Sequence, residues 1–413
     1  MLNPLKVLSV AAVLMASVAE AGAASLVRDA EIERTLDMEA APILGAAGIS
    51  PESTEIYIVN DDALNAFVAG GRNLFLNTGL LMELETAGEL QGVIAHEVGH
   101  IAGGHLAVRG EALRNMRGPA LVGALLAVAA GAAGGGGAAA SAIISGSQTA
   151  VTRSLLSFSR GQEAAADQAA LGYLEQAGIG PEGMLEVLEH FRGQEVFLSG
   201  NQDPYVLTHP LSSERMQLVE RRAAELAGRF TPDPATAYWH GRMRAKLKGF
   251  LEDPQRVLDD LEGAPASEET LLAQAVALHR LARTGEALAA VDWLIATRPS
   301  DPYYVELKGQ ILFESGRPAE AAAAYRQALA LAPDEPLIAA GLGRALLALN
   351  TPESDAEALR VLEQAQRADG TDPAGMRDLA LAYGRAGDDG MATLATAERF
   401  ALEGRLEDAQ LHA

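Results

Sequence analysis

The stretch Val93-Ile-Ala-His-Glu-Val-Gly-His-Ile101 constrains this chain more than any other. It contains His96-Glu97-x-x-His100, a spacing that gains meaning on a helix, where residues four apart share a face. His96 and His100 can then close on one metal ion from the same side. Glu97 falls beside them, where a carboxylate can take a proton from water. The neighbouring residues predict that helix. Thr86-x-x-Glu89 reads as a capping box, and Leu90, Val93, Ile94 and Ile101 supply apolar positions. The bland alternative is two histidines on a surface helix.

Composition narrows the chemistry. There is no cysteine among the 413 residues, so a metal must be held by His and carboxylate and no disulfide can form. A net charge of -23 argues against nucleic acid as partner and gives no attraction to anionic lipid heads. The length allows two domains or a domain plus a repeat array. At the N-terminus, Lys6 precedes an apolar run from Val7 to Ala16, followed by small residues at Ala19, Ala21, Gly22 and Ala24. Residues 1–24 therefore read as a cleaved secretory signal peptide, with an uncleaved anchor as the alternative.

Leu26 to Ala47 reads as helix, broken at Gly48-Ile-Ser-Pro51. Glu55 to Asn60 reads as a strand. Asn65–Ala69 and Asn73–Asn77 flank Gly70-Gly71 and read as a hairpin. A small sheet is thus expected just before the metal helix. An exposed strand there could hold a peptide in extended form by β-addition, or be purely structural. His105 lies five residues past His100, whereas a third histidine ligand of the longer zinc-protease pattern would fall at 106, where Leu106 stands. His105 is therefore expected at a helix end or the surface. The uncharged Ala/Gly-rich stretch between Arg117 and Arg153 suggests an apolar hairpin over 119–147. It would serve as a lid or a surface for peripheral membrane contact, with a transmembrane segment as the alternative.

A further helix is expected over Ser157 to Leu174. Glu163 and Asp167 lie four apart on it and share a face. A zinc site with two histidines needs a third protein ligand, which Glu163 can supply, while Asp167 can orient a ligating histidine. Past Arg229-Phe-Thr-Pro-Asp-Pro234 the chain changes character and becomes Ala/Leu-rich and helical throughout. Tyr303 to Pro333 carries Gly309, Gly316, Ala321, Tyr325, Ala328 and Pro333 at the positions of a 34-residue helix-turn-helix repeat. Related positions recur one period earlier and, after a slip near Thr351, later. Tyr238 to Leu261 suggests a degenerate first pair and Phe400 to Ala409 a cap. Such an array usually presents a concave surface to another protein.

His96-Glu-Val-Gly-His100, with Ser159-Arg160-x-x-Glu163-x-x-Ala166-Asp167 downstream, resembles the HtpX and CAAX-prenyl-protease superfamily of gluzincin metallopeptidases. The likeness extends to Asn73-Leu-Phe-Leu-Asn77-Thr-Gly-Leu-Leu and to Thr208-His-Pro210-x-x-x-x-Arg215. With its signal segment and repeats, the chain is most similar to the periplasmic BepA-type branch. The resemblance implies one Zn2+ per chain held by His96, His100 and Glu163, with Glu97 as base and Asp167 as an orienting acid or proton donor. It also implies that His209 sits on a loop over the site. There it would fill the open metal position as a latch, stabilise an oxyanion, or merely cap the loop beside Pro210. Arg215 is expected to pair with a core carboxylate.

The expected architecture is an α+β zincin-like metallopeptidase domain over 25–229, followed by an all-α tetratricopeptide repeat solenoid over 230–413. The expected protein is a periplasmic zinc endopeptidase acting on unfolded or misassembled envelope polypeptides. By the same resemblance, its repeats would dock on the outer-membrane barrel assembly machinery. A rival reading is a repeat-based adaptor or chaperone with a latent metal site.

Overall fold

The computed structural model describes residues 26–105, 160–193 and 203–413; the expected signal segment 1–24 and hairpin 119–147 lie outside them. The first helix, α1 (Ala30–Ala46), is capped by Asp29, whose side chain accepts from the Glu31 and Ile32 amides. Its N-terminal flank is not helical as expected. Leu26–Val27 forms β1, paired antiparallel with β2 (Ile56–Val59). The inter-strand ladder satisfies backbone groups that a helix would otherwise have to pair upstream of the Asp29 cap.

The sheet has the order β1-β2-β4-β3. β3 (Ala66–Ala69) and β4 (Asn73–Asn77) form the expected hairpin, with Gly70 and Gly71 both at positive φ. β2 runs parallel to β4, which requires the crossover through β3. Side-chain alternation sorts the sheet's two faces. Tyr57, Phe75 and Phe67 stack on one, with centroids 5.1 and 4.9 Å apart. Ile58, Val68, Leu74 and Leu76 join Ile32, Leu36, Leu90 and Ile94 in the main core.

After a short α2 (Thr78–Glu83), α3 (Ala87–Ala102) carries the metal motif. Its capping box is complete, with Thr86 and Glu89 bonded reciprocally. α4 (Arg160–Ala177) and α5 (Glu182–His190) pack on α3. The short α6 (Pro204–Thr208) leads to His209, and α7 (Ser213–Leu226) closes the unit.

Beyond residue 230 every described element is helical. α8 (Pro234–Leu251) and α9 (Pro254–Asp260) precede α10 (Glu268–Arg280), α11 (Thr284–Thr297), α12 (Pro302–Glu314), α13 (Pro318–Leu331) and α14 (Pro336–Leu349). α15 (Pro352–Ala368), α16 (Pro373–Ala386), α17 (Asp389–Leu402) and α18 (Leu406–His412) complete the array. Proline opens most of these helices at the first turn, where its missing N–H costs nothing. The register slip near Thr351 takes the form of a longer helix: α15 has 17 residues where α13 has 14, and Thr351 and Ser354 form a capping box at its start. Mean apolarity is concentrated at buried Ala321, Tyr325 and Ala328, as the period requires.

α8 belongs physically to both halves. Met243 and Leu247 sit in the main core with α1 and α3. His240 bonds Glu39 at 3.0 Å and the Leu84 carbonyl at 3.1 Å. Arg242 pairs with Glu31 at 2.6 Å and with Asp301 on α12, and Lys246 with Asp29 at 2.7 Å. Farther along the array, Arg28 pairs with Asp369. Buried pairs of this kind contribute little net stability but are costly to break singly, so they fix the array's orientation on α1.

Candidate metal centre

α3, α4 and the loop after α6 converge on one buried cluster. His96, Glu97, His100, Glu163, Asp167 and His209 are each at most 1% exposed. His96 Nε2 lies 3.1 Å from His100 Nε2, 3.2 Å from His209 Nδ1 and 3.4 Å from Glu163 Oε2. Glu163 Oε1 lies 3.3 Å from both His100 Nε2 and His209 Nδ1. A tetrahedral ion with bonds of about 2.0–2.1 Å separates its ligands by roughly 3.4 Å. The printed separations, with Glu163 turning one oxygen to His96 and the other to His100 and His209, lie close to that value. The four side chains form the one group able to hold a metal ion found among the described residues.

Burial and the facing carboxylates set the electrostatics of the cluster. The two Nε2 atoms at 3.1 Å either share a proton or face a common cation. Burial alone would disfavour a charged His96, yet hydrogen bonds to Asp167 and Glu163 raise its pKa to about 9. Burial dominates at His100 and lowers it to about 2. Glu163 is held well below the usual carboxylate range: burial works against that, but the facing histidines outweigh it.

Glu97 is placed differently. Both its carboxylate oxygens are buried without a hydrogen-bond partner. His209 Nε2 approaches Oε1 at 3.2 Å, but not in hydrogen-bonding alignment. Burial pushes the Glu97 pKa up, only partly offset by the histidines. A desolvated, uncommitted carboxylate beside a cation site is a strengthened base.

Asp167 stands behind the cluster. His96 Nδ1 donates to its Oδ1 at 2.8 Å. Arg215 grips it with two bonds, 2.5 Å from Nε to Oδ2 and 2.9 Å from Nη2 to Oδ1, and reaches Glu163 at 2.7 Å. Arg215 thus meets its expected role of pairing with core carboxylates. Burial would raise the Asp167 pKa, but Arg215 and His96 overcome it and hold it at about 2. A carboxylate held in this way can orient the histidine it faces.

His209 enters on the segment after α6, which lies along the outer edge of β3. The Tyr205 amide donates to the Leu64 carbonyl at 3.1 Å, and His209 Nε2 donates to the Ala66 carbonyl at 3.3 Å. These carbonyls are two residues apart and so point off the same strand edge. Of the two readings of this hairpin, an exposed strand and a purely structural one, the structure has β3 buried along its length, with this segment bonded to its outer edge. Tyr205 carries no warning in the sequence: its ring packs 4.8 Å from that of His209 and is itself buried. His105 sits at the α3 terminus and is not one of the clustered ligands.

Helix spacing at the site depends on Gly99. A Cβ there would lie 2.7 Å from the Ala166 carbonyl oxygen, between Glu163 and Asp167 on α4. Gly99→Val is expected to cost about 1–3 kcal/mol by forcing the helices apart. Metal affinity of the full chain, titrated against a chelator, should fall with it.

The model of Peptidase family M48 matches residues 28–223, and that of the Tetratricopeptide repeat matches 272–336 and 307–373. The Beta-barrel assembly-enhancing protease of Yersinia pestis is 27% identical over 361 residues, 86% of this chain and 72% of the relative. Its namesake in Escherichia coli (strain K12) is 24% identical over 395 residues, 94% and 79% of the two chains. Metalloprotease LoiP of Escherichia coli (strain K12) is 28% identical over 172 residues, 42% of this chain and 63% of the relative. The chain thus joins a region that matches Peptidase family M48 to an array that matches the tetratricopeptide repeat.

Proposed function

We propose that the protein is a zinc-dependent endopeptidase, with one Zn2+ per chain held by His96, His100 and Glu163. The observation that carries this reading is the close spacing of the four buried donors beside a Glu97 carboxylate that accepts no hydrogen bond. When bound, zinc polarises the scissile carbonyl and makes water more acidic. Glu97 takes a proton from the attacking water and passes it to the leaving amine, so that one C–N bond breaks and one C–O bond forms. Asp167, ionised and clamped by Arg215, keeps the His96 imidazole in the tautomer whose Nε2 is free to ligate. The outer edge of β3, if uncovered, offers the Leu64 and Ala66 carbonyls to an extended peptide.

His209 acts as a latch in this reading. It occupies the fourth corner of the cluster, and its segment takes the hydrogen bonds of the strand edge. A site so filled leaves no place for the water a catalytic zinc needs. His209→Ala is expected to raise kcat/KM on an unfolded polypeptide, on the order of tenfold, the scale of one lost ligand contact of about 1.4 kcal/mol. A loss as deep as that of Glu97→Gln would instead assign His209 to oxyanion stabilisation.

The proposed setting is the periplasm, with misassembled outer-membrane proteins as clients and the assembly machinery as the partner of the repeats. Support comes from the names of the relatives and from the export signal expected at the N-terminus. No helix among the described residues is long and apolar enough to cross a membrane. The test is incubation of the full chain with an unfolded β-barrel polypeptide, with and without chelator. Cleavage abolished by chelator supports the peptidase. Binding without cleavage in either condition favours the adaptor reading.

A further inference from the structure

We propose that His105 is a positioning residue for the metal centre, holding the His100 imidazole so that its Nε2 faces the other ligands; this rests on the reading of the cluster as a metal site. The two helix histidines are supported in parallel ways. His96 has Nε2 among the ligands and Nδ1 on Asp167 at 2.8 Å. His100 has Nε2 among the ligands, and its Nδ1 lies 3.0 Å from His105 Nδ1. The two rings meet edge to face, with centroids 5.1 Å apart and planes at 72°. His96 thus takes its support from a distant helix, while His100 takes its own from the end of the same helix.

The helix terminus is shaped to deliver that ring. α3 stops at Ala102, and the Gly103 amide still bonds the Gly99 carbonyl at 2.9 Å. Gly104 then turns left-handed at φ +62°, a conformation that a side chain would strain. The turn brings the His105 amide back onto the His100 carbonyl at 3.1 Å. Backbone and ring of His105 are therefore both tied to His100. Gly103 leaves the ring its space, since a Cβ there would stand 2.6 Å from His105 Nε2. The five-residue spacing that denies His105 a place among the ligands puts it behind one of them.

The hydrogen-bond chemistry follows from the ligand role. A ligating Nε2 carries no proton, so His100 holds its proton on Nδ1 and donates it. His105 Nδ1 accepts with its lone pair and keeps its own proton on Nε2. A partner of this kind fixes the tautomer and ring orientation of a metal-bound histidine, and its loss typically weakens metal binding about 10–100-fold.

The test uses the full chain stripped of metal and titrated with Zn2+ alone against a chromophoric chelator, with the visible spectrum of the Co2+ form as a second readout. His105→Ala should lose about 10–100-fold in zinc affinity and alter the Co2+ bands, while the metal-free protein melts as the wild type does. His105→Gln, whose amide oxygen can accept the same bond, should recover most of the affinity. Gly103→Ala, which keeps the imidazole but displaces it, should behave like His105→Ala. Unchanged zinc affinity in His105→Ala, with the wild type binding tightly, overturns the assignment and leaves the metal centre standing. A wild type that takes up no zinc overturns both. Should His105→Ala fail to fold, Gly103→Ala decides alone, and wild-type affinity in that variant overturns the assignment.

Discussion

Glu97→Gln is expected to lower kcat/KM for an unfolded polypeptide by about 10²–10⁴-fold, the contribution of a positioned general base. Zinc content should remain one ion per chain, because Glu97 is not among the clustered ligands. The substitution is nearly isosteric, so the cavity stays filled. It also removes a buried carboxylate whose two oxygens have no hydrogen-bond partner, and the melting temperature should hold or rise. Measured together, turnover, zinc content and melting temperature separate loss of chemistry from loss of structure. If chelator and Glu97→Gln both leave cleavage intact, the proposed mechanism is wrong.

Arg215→Ala should have the largest effect on stability. It leaves Asp167 and Glu163 buried with their main counter-charge gone. Breaking such a pair from one side costs about 3–5 kcal/mol, which at about 2–4 °C per kcal/mol lowers the melting temperature by roughly 10 °C. The pH dependence gives the sign. Asp167 has a folded pKa of about 2, below the ordinary carboxylate value, and Glu163 is lowered as well. A carboxyl depressed in the folded state stabilises above its unfolded pKa, and that stability is lost as pH falls toward the folded value. The gap between wild type and Arg215→Ala should therefore be full at neutral pH and shrink between about pH 4 and pH 2. Thermal melts of the metal-free full chain across that range check it. A gap that does not vary with pH would mean that Arg215 acts by packing alone.

The helices and the side chains that cluster on them were largely legible because their signals are local. The Thr86–Glu89 box, the four-residue spacing of His96 and His100, and that of Glu163 and Asp167 each fix a face of one helix. The 34-residue period did the same for the repeats, down to the slip that the longer α15 takes up. What was not legible depends on contacts between distant segments. Leu26–Val27 is a strand because Ile58 and Val59 lie beside it, and β3 is covered because residues 203–209 run along its edge. No periodicity within either segment encodes those neighbours.

The sequence by itself determined that α3 presents two histidines and a glutamate on one side and that a carboxylate helix and a repeat array follow. These follow from backbone geometry, in which a residue's face is set by its spacing from the next. Only the tertiary structure decided that the His96–His100 pair meets Glu163 and His209 in one buried cluster, that Arg215 keeps Asp167 ionised, and that His105 backs His100. Those facts are distances between side chains on separate elements or across a left-handed turn. They exist only once burial has removed water from between them and each charge must find its partner inside the protein.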